Sequence, residues 1–259
     1  MKKIAFLISG NIRIYEKNFI FLDSIKKILK DYEIIFISSD WQNQVEIDEF
    51  TKKYQIKFIN QLEEKDWSHK IKEDKYVNGE ENLSWKLKNI FHMWYAITEN
   101  IKFLEDVVSK NNIKIDYVCR FRTDITTLKE IKNFQKDLLN IHDNEILLSS
   151  NRHFRGITDL FFIANYQTFL KIKNIMVFFD QFSKQERVFN PEYVFYCFLN
   201  ENNFKIKIAY QLEIAIIRIE EAKPTKKAHI PFKDKINMKI AKRKIKFIKI
   251  LNKLRYIWN

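Results

Sequence analysis

The sequence predicts an α/β domain in which a mixed, mainly parallel sheet is flanked by helices. Apolar runs of strand length alternate with segments of helical periodicity as far as about residue 220. The chain opens with a strand, a helix and a second strand, a unit that builds a parallel sheet through a right-handed crossover. Hydrophobic residues make up 46% and aromatic residues 15% of the 259 residues, enough for a core, which excludes a globally disordered chain.

The first strand is the clearest element of the N-terminal half. Residues 2–9, KKIAFLIS, form a continuous apolar run that ends at Gly10, as expected of a central parallel strand. The elements predicted after it are a helix at 15–29, a strand at 32–40, a helix at 43–54 and a strand at 56–62. Residues 63–82 are charged and only weakly periodic, which predicts a surface loop.

A long helix at 83–110 opens the second half, with an apolar side that includes Phe91, Trp94 and Leu104. It leads into the strand DYVCRFR, 116–122. The elements predicted after that strand are strands at 145–150 and 159–165, helices at 167–183 and from about Pro191, and strands near 204–210 and 213–219. No internal repeat is present, so the pattern predicts one domain over residues 1–225.

Basic residues are concentrated in the C-terminal segment, 226–259. This segment holds twelve Lys and Arg and one acidic residue, Asp234, giving +11 of the net charge of +13 and leaving +2 on residues 1–225. A nearly neutral body is not typical of a protein with a general basic face for nucleic acid. We therefore predict that 226–259 is a separate basic segment and expect no nucleic-acid partner.

Within this segment the spacing predicts an amphipathic helix over 236–258, in which one arc at about 100° per residue is apolar. The residues of this arc are Ile236, Ile240, Phe247, Leu251, Leu254 and Trp258, and lysines at 239, 242, 246, 249 and 253 lie opposite. The pattern is typical of a helix that lies on an anionic membrane, where each basic residue contributes about 1 kcal/mol. The alternatives are a helix packed on its own domain with its lysines in water, and an RNA-binding tail.

Both cysteines, Cys119 and Cys197, lie in apolar runs, which indicates reduced thiols of a cytosolic protein. The start of the chain imitates a signal peptide, but its apolar run, 4–8, is too short and no cleavage pattern follows. No stretch approaches the roughly 20 apolar residues that span a bilayer. We expect a cytoplasmic protein that is peripheral on the inner face of the cytoplasmic membrane.

Polar residues follow the ends of several predicted strands, where ligands collect in open α/β sheets. The candidate ligand-binding residues there are Ser9, Gly10, Asn11, Arg13, Ser39, Asp40, Arg120, Arg122 and Arg152. In SGNIR, Gly10 would let a nucleotide approach the backbone and Arg13 would reach a phosphate. A plain turn with a solvated arginine is the alternative.

The segment YVCRFRTDIT places Arg120, Arg122 and Asp124 two residues apart, so in a strand all three side chains would share one face. Two cations and a carboxylate at one point suit an anionic ligand with a metal ion. A hard divalent cation prefers carboxylate and phosphate oxygens, and arginine binds a diphosphate through paired hydrogen bonds. A structural ion pair at the strand end is the alternative.

Four segments occur in the order of a known family: SGNIR, YVCRFRTDI, GITDLFFIANYQTF (156–169) and NPEYVFYCFL (190–199). Over about residues 1–220 the chain resembles the WavE-like and related bacterial glycosyltransferases of lipopolysaccharide and capsule synthesis, which share the GT-A fold of nucleotide-diphospho-sugar transferases. The resemblance implies that R-T-D stands in for the DxD motif, with Asp124 binding Mn²⁺ or Mg²⁺ and the diphosphate. Arg122 occupies the position of the first aspartate of that motif.

The resemblance also assigns roles to Glu192 and Asp159. Glu192 falls where GT-A enzymes place an acidic residue towards the acceptor, and Asp159 falls beside the sugar or the acceptor. An inverting transferase needs one carboxylate to take the proton of the acceptor hydroxyl, for which Glu192 is the first candidate and Asp159 the second. Glu192 at a helix start and Asp159 in a turn also have ordinary structural explanations. Arg218 is a candidate for a further phosphate contact.

The expected function is transfer of a sugar from a nucleotide diphosphate, most simply a UDP-sugar, to a lipooligosaccharide or capsular acceptor. One alternative is a metal-independent transferase that uses a CMP-sugar or another activated donor. Another, from a different class, is a non-catalytic nucleotide- or RNA-binding protein that acts through its basic tail. Asp124 and Glu192 favour the enzyme, because carboxylates repel RNA but suit metal binding and proton transfer.

Overall fold

A seven-stranded mixed sheet forms the centre of the computed structural model and carries helices on both faces. The structure describes residues 1–9, 16–40, 44–63, 65–67, 83–122, 124–127, 131, 134–149, 157–184, 191–209, 212–216, 239–248 and 250.

Nine strands form two sheets. The strands are β1 (Lys2–Ser9), β2 (Tyr32–Asp40), β3 (Phe58–Gln61), β4 (Tyr117–Phe121), β5 (Ile125–Thr127), β6 (Glu145–Ser149), β7 (Phe161–Asn165), β8 (Lys205–Ala209) and β9 (Ile214–Ile216) in the described residues. The main sheet has the order β3-β2-β1-β4-β7-β6-β8, and β5 pairs with β9 in a small second sheet. All neighbours in the main sheet are parallel except β7, which is antiparallel to β4 and β6. The predicted fold class, a mixed and mainly parallel sheet flanked by helices, is confirmed.

The helices divide into two layers. They are α1 (Glu16–Ile28), α2 (Gln44–Tyr54), α3 (Leu83–Asn111), α4 (Phe134–Leu139), α5 (Tyr166–Leu170), α6 (Ile175–Lys184), α7 (Pro191–Glu201) and α8 (239–248). Apolar residues of α1, α2 and α4 pack on one face of the sheet. Those of α3, α5, α6, α7 and α8 pack on the other face.

Alternation along the strands supplies both cores. In β1, Phe6 belongs to the core under α1, and Leu7 belongs to the core under α3. The second core is centred on Trp94 of α3, which is fully buried, with its ring centroid 5.2 Å from that of Phe179 and 5.0 Å from that of Phe195. These contacts join α3 to α6 and α7 on this face of the sheet.

Some predicted elements differ from the structure. The helix expected at 167–183 is divided into α5, a 3-10 turn at Lys171–Asn174 and α6. The strand β5 and the helix α4 were not predicted, because three and six residues are too few to show a period. Most of the loop predicted at 63–82 lies outside the described residues.

The helix α8 packs on the body through Ala241 and Ile245, which are buried, and Ile248, which is partly buried. None of these three belongs to the apolar arc predicted for the tail. Of that arc, Ile240 and Phe247 are exposed, and Ile236, Leu251, Leu254 and Trp258 lie outside the described residues. Among the helices of the described ranges, none has the length and apolar character required to cross a bilayer.

Candidate active site

The carboxyl ends of the six parallel strands meet at one edge of the main sheet. The amino end of the antiparallel β7 joins them there. The chain first runs outward from β1 to β2 and β3, and later returns to place β4 on the other side of β1, so the strand order reverses between β1 and β4. Such a switch point is where open α/β sheets bind ligands. Ile8 of β1 lies opposite Phe121 of β4, so Ser9 and Arg122 follow at this edge.

Arg120 of β4 is a buried cation near this edge, with 1% of its surface exposed. Its Nη1 donates a hydrogen bond to the main-chain oxygen of Asp159, and its Cζ lies 6.0 Å from the centroid of the Phe162 ring. Its Nε and Nη2 have no hydrogen-bond partner among the described residues. Burial lowers the pKa of Arg120 to about 10, against an opposing attraction to Asp159, so the guanidinium is still charged at neutral pH.

Other buried polar atoms near the same edge are also unsatisfied within the described part of the chain. They are Ser9 Oγ, Ser38 Oγ, Asn100 Oδ1 and Ser149 Oγ. Asn100 of α3 is held in place because its Nδ2 donates to the main-chain oxygen of Ile8 at 3.0 Å. Each unsatisfied buried group costs about 1–3 kcal/mol and is rare in native proteins. Ser9, Ser38 and Asn100 lie at or next to the ends of β1 and β2, beside the switch point, whereas Ser149 ends β6 further along the same edge. Unsatisfied groups at such an edge are typical of a place that a ligand or ordered water completes.

Arg122 and Asp124 form a two-point ion pair. Arg122 Nε donates to Asp124 Oδ1 at 2.7 Å, and Nη2 donates to Oδ2 at 2.6 Å. Asp124 is nearly buried, whereas 30% of the Arg122 side chain is exposed. Burial acts to lower the pKa of Arg122, but the hydrogen bonds and charge of Asp124 outweigh it, so this pKa is raised. The ion pair given as the alternative explanation of these residues is therefore present.

The convergence of charge predicted for Arg120, Arg122 and Asp124 is found, but for a different reason. The strand β4 ends at Phe121, and Asp124 lies in a turn before β5, so strand alternation does not place its side chain. The two hydrogen bonds from Arg122 position the Asp124 side chain instead. The charges of Arg122, Asp124 and Asp159 all act on Arg120, so the four groups form one electrostatic cluster.

The two candidate bases lie on neighbouring segments. The main-chain oxygen of Glu192, in the first turn of α7, accepts a hydrogen bond from Ile157 N at 3.0 Å. Asp159 follows two residues later and is buried, with its charge acting on Arg120 and Arg122. Glu192 is partly exposed. The burial of Asp159 favours a role as counter-ion to the arginines, so the partly exposed Glu192 stays the first candidate for the base.

Comparisons with known proteins do not assign the chain to a family. No family model matches it, and no curated protein matches it. Among solved structures it is similar to mouse xyloside xylosyltransferase 1 in its apo form, with 7% sequence identity and a TM-score of 0.43. That similarity covers 80% of this chain and 85% of the mouse chain. A similarity this low carries no argument about activity, which has to come from the site itself.

Several predicted site residues lie outside the described residues, namely Gly10, Asn11, Arg13, Arg152 and Arg218. Ser39 and Asp40 end β2 at the carboxyl edge, as predicted, but their side chains are outside the description. The structure therefore brings together Arg120, Arg122, Asp124 and Asp159 from the predicted set, with Ser9 at the end of the neighbouring strand. Glu192 is tied by its main chain to Ile157, two residues before Asp159.

Asp124 fits a metal ion only in part. Both of its carboxylate oxygens accept hydrogen bonds from Arg122. In the described ranges, no three His, Cys, Asp or Glu side chains are grouped as a metal site would require. With the described residues alone, Asp124 would hold a cation together with oxygens of a bound ligand, a coordination that Mg²⁺ accepts.

Asn100 is a site residue that the sequence analysis missed. It is completely buried in α3 and its amide fixes the end of β1. Its spacing contains a signal, because residue 100 lies three after Ile97 and four before Leu104, both on the buried side of the helix. A polar amide on an apolar helix face has to find a polar partner, and the sheet edge supplies one.

Proposed function

We propose that this protein is a glycosyltransferase that binds the diphosphate of a nucleotide-sugar at the switch point and transfers the sugar to a glycan acceptor. The observation that carries the proposal is the pair of arginines, Arg120 and Arg122, at the end of a central strand with guanidinium donors left over. The lipid-linked glycan acceptor and the UDP-sugar donor are proposed from the four sequence segments that resemble lipopolysaccharide and capsule transferases, a family that no family model matches to this chain.

Counting donors shows what the site has to offer. A guanidinium has five N–H groups, and the pairing of Arg122 with Asp124 engages two of them. Among the described residues the other three have no acceptor, and the side chain is partly exposed. Arg120 adds the donors Nε and Nη2, which are buried. We expect these two nitrogens to be satisfied by the ligand or by water that the ligand orders. Planar donors in this arrangement suit phosphate oxygens, which accept charge-assisted hydrogen bonds.

The same groups serve the reaction. When the acceptor oxygen bonds to the anomeric carbon, the bond from that carbon to the diphosphate breaks and negative charge develops on the leaving group. Arg122 and Arg120 stabilise this charge in a site largely removed from water. Glu192 accepts the proton of the acceptor hydroxyl, as an inverting displacement requires. Asp159 balances the arginines in the absence of the donor.

A divalent cation is part of the proposal, with Asp124 as its protein ligand. Bound Mn²⁺ or Mg²⁺ would neutralise charge on the diphosphate. Because both carboxylate oxygens of Asp124 already accept hydrogen bonds from Arg122, we expect the cation to bind together with the donor and not alone. Mn²⁺ by itself should therefore leave the melting temperature unchanged, and Mn²⁺ with the donor should raise it above the value for the donor alone.

Thermal-shift screening of nucleotide-sugars, with and without Mn²⁺, tests the proposal. We expect a UDP- or GDP-sugar at 100 times its Kd to stabilise the protein by about 2.7 kcal/mol, and the Mn²⁺-dependent part to vanish in Asp124→Ala. Equal metal-dependent stabilisation of wild type and Asp124→Ala would remove Asp124 from the metal role. Stabilisation by a CMP-sugar without metal would favour the metal-independent transferase. A response to RNA alone would favour the non-catalytic alternative.

Arg120→Met should separate stability from binding. Removing the buried cation relieves its desolvation cost, but it also leaves buried Asp159 with less positive charge beside it and removes the hydrogen bond to its main-chain oxygen. The two effects oppose each other, so the stability of the free protein should change little. The loss of one charge-assisted contact should weaken nucleotide-sugar binding about tenfold, or 1.4 kcal/mol. Chemical denaturation and calorimetric titration measure the two effects. Unchanged affinity would mean that Arg120 has only a structural role.

A further inference from the structure

The C-terminal helix α8 has two apolar sides that face different surroundings. Ala241, Ile245 and Ile248 pack into the core on the α3 side of the sheet. Ile240 and Phe247 point elsewhere and are 47% and 61% exposed. They are seven positions apart, so they lie on nearly the same side of the helix, about 10 Å apart along its axis. We call Ile240 and Phe247 the exposed strip of α8.

The exposed strip is surrounded by positive charge. The basic residues of α8, all exposed, are Lys239, Lys242, Arg243, Lys244 and Lys246. Arg243 and Lys244 lie between Ile240 and Phe247 along the helix and on either side of the strip. No acidic residue occurs in 239–250. Ile250, 47% exposed, extends the apolar surface towards the end of the chain.

We propose that the exposed strip docks the protein on an anionic lipid surface, with the packed side of α8 fixing the orientation of the body. This goes beyond the proposed transferase activity and does not depend on it. Apolar side chains enter the boundary between headgroups and acyl chains while neighbouring Lys and Arg bind the negative headgroups. The helix is already formed and anchored, so docking does not require the helix to fold on the membrane.

Charge favours this occupant over others. A second copy of this chain would bring two strongly basic surfaces together, which like-charge repulsion opposes. RNA would satisfy the basic residues but would leave Ile240 and Phe247 in water. An anionic bilayer satisfies both the apolar and the basic parts of the surface.

Co-sedimentation of the full chain with vesicles tests the proposal, using phosphatidylcholine alone or mixed with phosphatidylglycerol. The test variant is Ile240→Glu/Phe247→Glu. The matched control is Leu139→Glu/Val177→Glu, which introduces the same charges at side chains 56% and 60% exposed on α4 and α6. Because all four residues are exposed, melting temperatures should be close to that of the wild type.

We expect wild type and control to bind anionic vesicles at least tenfold more tightly than neutral ones, and the test variant to lose at least tenfold of this binding. Nucleotide-sugar stabilisation should be equal in all three proteins, so a failure here is distinguishable from a failure of the transferase proposal. Equal vesicle binding by the test variant and the control would overturn the proposal. The proposal would also be overturned if the wild type did not bind anionic vesicles, or if it bound RNA or a second copy of itself through the exposed strip instead.

Discussion

Arg122→Met is expected to weaken nucleotide-sugar binding by about 100-fold and to destabilise the free protein at the same time. The affinity falls because one or two charge-assisted hydrogen bonds to the diphosphate are lost, at about 1.5–3 kcal/mol each. The stability falls because Asp124, nearly buried, loses the two hydrogen bonds of 2.7 and 2.6 Å from its partner. Removing one partner of a buried ion pair costs about 3 kcal/mol. Calorimetric titration and urea denaturation measure the two losses.

The double variant Arg122→Met/Asp124→Asn separates these two effects. Replacing the stranded carboxylate with a neutral amide removes the uncompensated charge, so most of the lost stability should return. Binding of the nucleotide-sugar should stay weak, because the guanidinium is still absent. If the double variant regained stability and bound the donor as tightly as wild type, the Arg122–Asp124 ion pair would have only a structural role.

The second large effect is expected for Glu192→Gln. If the Glu192 carboxylate takes the proton of the acceptor hydroxyl, the amide of glutamine at this position cannot do so. We then expect kcat to fall by about 10²- to 10⁴-fold. The side chain lies in the first turn of α7, and glutamine has nearly the same shape, so the helix and the donor affinity should persist. Turnover of the nucleotide-sugar with an acceptor that supports wild-type activity, followed across pH, is the measurement. The wild-type rate should fall at low pH as the base becomes protonated, and this pH dependence should be absent in the variant.

Asp159→Asn is the matched control for this prediction. Asp159 is buried and its charge acts on Arg120 and Arg122, so neutralising it should alter donor affinity more than kcat. A Glu192→Gln enzyme with kcat within about threefold of wild type would exclude Glu192 as the base. A much larger loss of kcat in Asp159→Asn at unchanged donor affinity would assign the base to Asp159.

The centre of the main sheet was predictable because its inner strands, such as β1, β4 and β6, bury both faces. In 2–9 and 32–40 the apolar runs mark strands whose observed bounds are the same as the predicted ones. The strand β5 and the helix α4 were not predicted, because their own residues do not define them. Ile125–Thr127 becomes a strand only because β9, almost 90 residues later, pairs with it through Ile125 and Ile216. A partner this distant leaves no trace in the local sequence.

At the candidate site the sequence predicted which charges meet but not how they are arranged. The positions of Ser9 and Arg122 follow from strand ends, which hydrophobicity defines. The closing of Arg122 on Asp124 depends on a turn after Phe121, and the burial of Arg120 depends on packing against Phe162. Both are tertiary results. For the tail, periodicity predicted a helix, but the packed side is set by Ala241 and Ile245, since the shape of the body and not hydrophobicity alone selects the face that is buried.

The most direct test of the central claim is a crystal structure of the chain with UDP and Mn²⁺. We predict diphosphate oxygens about 3 Å from the Arg122 guanidinium, at the edge between β1 and β4, with Arg120 Nε and Nη2 satisfied by a phosphate oxygen or by water ordered against it. Nucleotide bound elsewhere, with both nitrogens of Arg120 unsatisfied and Arg122 contacting Asp124 alone, would contradict the claim.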